Sequence, residues 1–456
     1  MLQLKNLPLG LYCFLVPEGR RYDAIIDASV IVTVVALGVV SAGLLRSPES
    51  AVAVSDSEVV SEPIEYPVDI PGCSEVEPPP SSEGEAFMTS SIVQGSPSYD
   101  NPDYPWLTSG KAGAMSDAVL AALPGDVSIR LATPSMSLVF QPVEDDGDDA
   151  PVGLQPSTDA MGELERSGTS AFASISVRPS DIGVPACVAG ALDARTTQSD
   201  GTVIDTDDSW YEYAGDRTNF RTATAYHPDG TQVIANLTGT ESAEFPLEQS
   251  EMARIASLPE LRVTVPAPEG SVAPRQDCYI AAQGSGTELD VRPEAVAAAN
   301  DALTAAWQAI PNVPELDRPI GSLVPGGYSS GVCTDLEVVG TRVGLYISVS
   351  GGVELPVALD PYDPESAYGP VIETRTLPDG SVVESYDADI VNSFVSEDGT
   401  TQLTRSVTVT RPSGVQVSVR STVDLDPTEY APLVLPEPLP FEVLDAVAQA
   451  PIAQWP

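Results

Sequence analysis

The stretch "RTATAYHPDGTQVIANL", Arg221 to Leu237, reads as two alternating strands around a four-residue turn, and it returns near the C-terminus as "RSVTVTRPSGVQVSVRS", Arg405 to Ser421. A repeated hairpin constrains this chain more than any other feature, because whatever fold accepts the first copy must also accept the second. In the register that sets Arg221 on Arg405, Thr224 meets Thr408, Pro228 meets Pro412, Gly230 meets Gly414, Gln232 meets Gln416 and Val233 meets Val417. The same register carries the turn ending at Gly215 onto the turn ending at Gly399, and a slightly different one sets "SDGTVIDT" from Ser199 on "PDGSVVES" from Pro378. Each turn has the residues of a type I turn closed by a left-handed Gly. Three successive hairpins predict a four-stranded antiparallel meander in each half.

The flanks repeat too. "SISV" at Ser174 and "YISV" at Tyr346 supply an upstream strand, while "PLEQSEMARIASLP" and "PLPFEVLDAVAQAP" follow the meander. In the latter pair Met252, Ile255 and Ala256 match Leu444, Val447 and Ala448, one apolar helical stripe ended by Pro259 and Pro451. "MSDAVLAAL" near Met115 and "PEAVAAANDALTAAWQAI" from Pro293 read as the leading helices, the second with Val296, Leu303, Trp307 and Ile310 at helical spacing. The expected fold class is α+β, two tandem modules at 110–265 and 266–456, each a meander covered by helices, with "VTVPAPEGSVAPRQD" (Val263 to Asp277) as the joint between them.

Upstream of the modules, "ASVIVTVVALGVVSAGLL" (28–45) runs eighteen residues without a charge. At about 1.5 Å per residue it covers most of a roughly 30 Å hydrocarbon core, which predicts a single transmembrane helix. Lys5, Arg20 and Arg21 precede it, so residues 1–27 are expected in the cytoplasm and the C-terminal bulk outside. A buried helix and a cleaved signal peptide ending at "AVA" (Ala51–Ala53) are the rival readings. Residues 46–109 are rich in Pro, Ser and Glu and read as a stalk. Of the five cysteines, Cys13 falls on the reducing side and Cys73, Cys187, Cys278 and Cys333 on the side that permits disulfides. Pairing within modules, Cys73 with Cys187 and Cys278 with Cys333, is favoured over bridges between them; four buried thiols is the alternative.

The "RPDG"-like hairpin followed by a short Leu- and Ala-rich helix, behind an N-terminal anchor and an acidic stalk, resembles uncharacterised membrane-anchored exported proteins of high-GC Gram-positive bacteria. The resemblance covers the hairpin and helix of each copy, carries no catalytic residue, and implies an envelope location.

Function is bounded mainly by what is missing. A formal net charge of -45, from 66 acidic and 21 basic residues, repels the phosphates whose neutralisation drives nucleic-acid binding, so no nucleic-acid partner is expected. The one histidine, His227, sits in a hairpin turn and reads as solvated there; with no G-x-S-x-G elbow, no zinc-ligand spacing and no phosphate loop, no catalytic residue, cofactor or metal site is assigned. "EDDGDD" (Glu144–Asp149) reads as a solvated loop before a Ca²⁺ site. "DTDDSWYEYAGD" offers Asp205, Asp207 and Asp216 for Ca²⁺, although Trp210 stands where such a loop needs Gly. Its Trp210, Tyr211 and Tyr213 could stack on a sugar or serve as strand core. Asp205, Asp207, Asp208, Trp210 and Tyr211 are thus the candidate ligand surface. The reading that follows is a non-enzymatic, single-pass envelope protein whose modules bind a protein or polymer of the envelope. An exported hydrolase using paired carboxylates and a partner-dependent sensor are the alternatives.

Overall fold

The structure is a computed structural model and describes residues 59–79, 98–143, 156–240, 244–280, 291–327, 331–356, 372–388, 394–395, 401–425 and 437–452. The stretch 28–45, the loop Glu144–Asp149 and Cys13 lie outside them. Glu58–Pro456 forms one compact unit.

Two antiparallel sheets dominate it. In the first half the strands are β1 (Val59–Ser61), β2 (Ser128–Ile129), β3 (Thr158–Arg166), β4 (Thr169–Pro179), β5 (Ala194–Thr197), β6 (Val203–Tyr213), β7 (Asp216–Tyr226) and β8 (Thr231–Gly239). They pair in the order β1-β6-β7-β8-β4-β3-β2, with β5 also on β6. The second half has β9 (Val324–Pro325), β10 (Gly331–Glu337), β11 (Val343–Ser350), β12 (Ile372–Thr376), β13 (Val382–Ala388), β14 (Phe394–Val395), β15 (Thr401–Thr410) and β16 (Gln416–Leu425), in the order β12-β13-β15-β16-β11-β10-β9, with β14 on β15. The duplicated hairpin has one register in both copies, Tyr226 opposite Gln232 and Thr410 opposite Gln416. Gly230 and Gly414 close it at φ of 84° and 83°, a region open to Gly without a Cβ penalty.

The α+β expectation is corrected here. Among the described residues there are four helices against sixteen strands: α1 (Ser109–Ala122), α2 (Gln249–Ala256), α3 (Pro293–Ala309) and α4 (Phe441–Ala448). Both sheets are long-stranded and continuous, so helices of eight to seventeen residues cover only part of one face, and the molecule is mostly β. No helix among the described residues is long and apolar enough to cross a membrane. Along β8 burial alternates strictly, Val233, Ala235 and Leu237 inward, because side chains of a strand point to opposite faces with period two. These meet Met115 and Val119 of α1 and Met252 and Ile255 of α2 in one core; Val296, Leu303 and Trp307 of α3 with Leu444 and Val447 of α4 do the same over the second sheet.

The Pro-rich joint adheres to its neighbours rather than swinging free. Lys111, buried in α1, donates from Nζ to the carbonyls of Glu260 (2.6 Å), Arg262 (2.9 Å) and Val265 (2.6 Å). Burial pushes its pKa down to about 8. Asp277 accepts from the Ser135 backbone N–H (2.8 Å) and hydroxyl (2.5 Å), and the next residue, Cys278, is bonded to Cys333 of β10. Upstream, residues 59–79 of the segment expected as a stalk form a strap on the first sheet: β1 pairs with β6, and Cys73 is bonded to Cys187.

Candidate functional site

The strap meets β6 where that strand's edge is uncovered. β5 pairs with Val203–Thr206 and β1 with Tyr211–Tyr213, which leaves the edge of Asp207–Trp210 without a partner strand on that side. Loop groups fill in: the Asp193 N–H donates to the Thr206 carbonyl (2.7 Å), the Asp208 N–H to Asp193 Oδ2 (2.9 Å), and the Glu62 N–H to the Trp210 carbonyl (3.2 Å). Gly72 lets the strap come this close, since a Cβ there would lie 1.8 Å from the Arg195 carbonyl oxygen. The remaining space is a cleft of about 440 Å³ lined by Glu62, Ile64, Asp69, Asp193, Asp207 and Asp208 among others. Burial raises the Asp207 carboxyl above its ordinary range; Ser209 opposes this through a hydrogen bond, while Asp193, Asp208 and Glu62 add repulsion.

Strand alternation divides the candidate surface, setting Asp205, Asp207 and Tyr211 on one face of β6 and Asp208 and Trp210 on the other. Asp205 is buried in a bidentate pair with Arg195 (2.6 and 2.7 Å). Asp208, on the helix side, pairs with Arg221 (2.8 and 2.7 Å), whose Nη1 reaches the Leu247 carbonyl and whose guanidinium lies 5.0 Å from the Phe245 ring centroid. The second module repeats this clamp: Arg405 pairs with Asp387 (3.4 Å), donates to the Pro438 and Leu439 carbonyls, and lies 5.1 Å from the Phe441 ring. Asp208 therefore fastens the approach to α2. Trp210 is covered by Arg217 at 3.8 Å. The Ca²⁺-loop pattern is undone by the β6–β7 hairpin, where Asp216 opposes Tyr213 and Asp205 stands eight residues back along the strand, about 26 Å away at roughly 3.3 Å per residue. No group of three or more His, Cys, Asp or Glu able to hold a metal is found among the described residues.

Of the expected surface residues Tyr211 alone presents its ring to the open face. It is exposed and stacks on Phe220 at 5.4 Å between centroids. Pairing across the sheet then sets Ser209, Phe220, Thr238 and Phe172 in one row, with Phe172 exposed. Phe172 and Phe220 could be found only through strand pairing, since they are far apart in the chain and neither has a local motif. Around the rings this face carries Ser174, Ser176, Thr222, Thr224 and Asn236, all half-buried, interleaved with Met161, Ile234 and Asp207, and Thr222 donates to Asn236 Oδ1 (3.2 Å). The second sheet matches it with Thr404, Ser406, Thr408 and Ser418.

His227 is not the solvated turn residue expected. It is buried: its Nδ1 accepts from Arg262 Nε (3.1 Å) and its Nε2 donates to the Ala256 carbonyl (3.3 Å) at the end of α2, which fixes a neutral ring. Burial lowers its pKa, and the Arg262 charge lowers it further, against the Ala256 hydrogen bond and the nearby Asp229 and Asp200 charges. Arg411, its counterpart, donates to the Ala450 carbonyl (2.5 Å) just beyond α4. The turn points back under the sheet toward the helix in both copies, which a turn-propensity argument does not register.

No protein-family model matches the chain. No curated protein matches it either. Two solved structures show a faint likeness: the di-domain ARO/CYC BexL from the BE-7585A biosynthetic pathway, at 9% identity and TM-score 0.11 over 69% of this chain and 82% of that one, and a thioesterase II from Thermobifida fusca YX, at 10% identity and TM-score 0.09 over 68% and 98%. At those scores neither carries an argument about fold or function.

Proposed function

We propose that this is an exported, non-enzymatic envelope protein, held at the cell membrane through its apolar segment 28–45, whose duplicated sheets bind a hydroxyl-rich envelope polymer. The open face of the first sheet carries the reading. Its row of Phe220 and Phe172 with Tyr211 alongside offers apolar ring faces for sugar C–H surfaces, and the surrounding Ser, Thr and Asn side chains offer donors and acceptors for hydroxyls. Two disulfides suit a compartment that permits them. Co-sedimentation of the purified chain with isolated cell-wall polysaccharide tests this. Retention is expected, with affinity lower by roughly thirtyfold in Phe172→Ala/Tyr211→Ala at about 1 kcal/mol per ring; no retention, or equal retention by the variant, would remove the reading. The raised Asp207 carboxyl in its acidic cleft is the one observation that favours the hydrolase alternative. Polymer breakdown abolished by Asp207→Asn would select it.

A further inference from the structure

The joint leaves a second concavity where it runs onto the other sheet. The Cys278–Cys333 bond fixes residues 274–278 beside β10 and β11, and between them lies a groove of about 480 Å³ lined by Arg275, Arg318, Asp335, Glu337 and Tyr346 among others. Carboxylates outnumber cations threefold in this chain, and Arg166, Arg195, Arg221 and Arg405 all meet one. Arg275 does not: among the described residues its guanidinium donates only to the Ser322 carbonyl (3.1 Å). Arg318 uses Nε on Asp317 (2.7 Å) and keeps both Nη groups without a bond among the described residues. A third guanidinium, Arg420, lies 5.8 Å from the ring of Tyr346, whose hydroxyl donates to the Tyr279 carbonyl (2.7 Å).

We propose that this groove is an oxyanion site, in which a carboxylate or phosphate group of a ligand is held between Arg275 and the Nη groups of Arg318. Guanidinium groups present parallel N–H donors that match either oxyanion. Desolvation and the facing charge of Arg318 together lower the Arg275 pKa, a repulsion that a bound anion relieves. The acidic neighbours do not fill the position. Asp317 is committed to Arg318 and to the Glu337 N–H (2.8 Å), Glu337 is exposed, and desolvation raises the Asp335 carboxyl against the opposing pull of Arg318 and Arg420.

The test is a titration of the full-length protein with phosphate, and separately with ¹³C-labelled acetate, ionic strength held constant with sodium chloride. Constancy matters because any salt screens a net charge of -45. Line broadening of the ³¹P or ¹³C resonance reads binding without depending on stability. Saturable broadening by the wild type with either anion is expected, weakened roughly tenfold in Arg275→Gln and in Arg318→Gln. Arg178→Gln, which removes an arginine of the other sheet bonded to Gln232, should leave it unchanged. Broadening by one anion alone names the group preferred and supports the site. No broadening by either, or equal broadening in all three variants, would overturn it.

Discussion

His227 and Arg411 stand at the same turn of the two modules and fasten it to the end of the following helix through one hydrogen bond to a carbonyl. The imidazole does so as a neutral group, which makes this fastening sensitive to acid in the first copy and not in the second. Its folded pKa lies below the ordinary 6.5, so as pH falls the unfolded chain takes the proton first. The stability this residue contributes is therefore complete above 6.5 and drains on acidification toward the folded pKa, with a slope of at most about 1.4 kcal/mol per pH unit. His227→Gln should cost about 1–2 kcal/mol at neutral pH. Urea unfolding of both proteins across the acidic range should show that penalty shrinking below 6.5; taking the difference cancels the many carboxylates they share. A penalty independent of pH would mean that His227 is charged, or solvated, in the folded state. Nothing in the residue pattern foretold this, since a His beside Pro-Asp-Gly has the local chemistry of an exposed turn and only the chain returning through Arg262 closes over it. Lys111 is similar, a lone lysine of α1 whose three carbonyl partners lie about 150 residues onward.

Among the elements, those set by local chemistry were legible: the Gly-closed turns, the alternating strands, and the helical stripes of Met252, Ile255 and Ala256 and of Leu444, Val447 and Ala448. The weight of helix in the fold was not, because a short amphipathic stripe says nothing of how much sheet it must cover. Nor was the adhesion of strap and joint, whose Pro-rich composition matches that of a solvated linker. Gly113 shows how close that adhesion is. In mid-helix a Gly normally costs about 1 kcal/mol relative to Ala. Here a Cβ would lie 2.0 Å from the Val272 carbonyl oxygen. Gly113→Ala should thus destabilise the protein, by about 1–3 kcal/mol, rather than stabilise it. Thermal unfolding with an unchanged or raised midpoint would show that the joint does not bear on α1.

Across the whole molecule there are two sheets of similar strand order, each with a core under its helices. The strap packs on the first sheet and the joint runs from Ser135 and α1 to the second within one compact unit, and the two are held by the Cys73–Cys187 and Cys278–Cys333 disulfides. The aromatic row, assembled from β4 and β7, was illegible because no linear motif spans strands brought together only by pairing. Export is the premise on which the proposed binding depends, and the redox state of the cysteines in the cell tests it. Non-reducing peptide mapping of the protein taken from the envelope of thiol-blocked cells is the most direct measurement. The account predicts linked Cys73–Cys187 and Cys278–Cys333 peptides with Cys13 carrying the blocking label. Label on Cys73, Cys187, Cys278 and Cys333 in the isolated protein would contradict it.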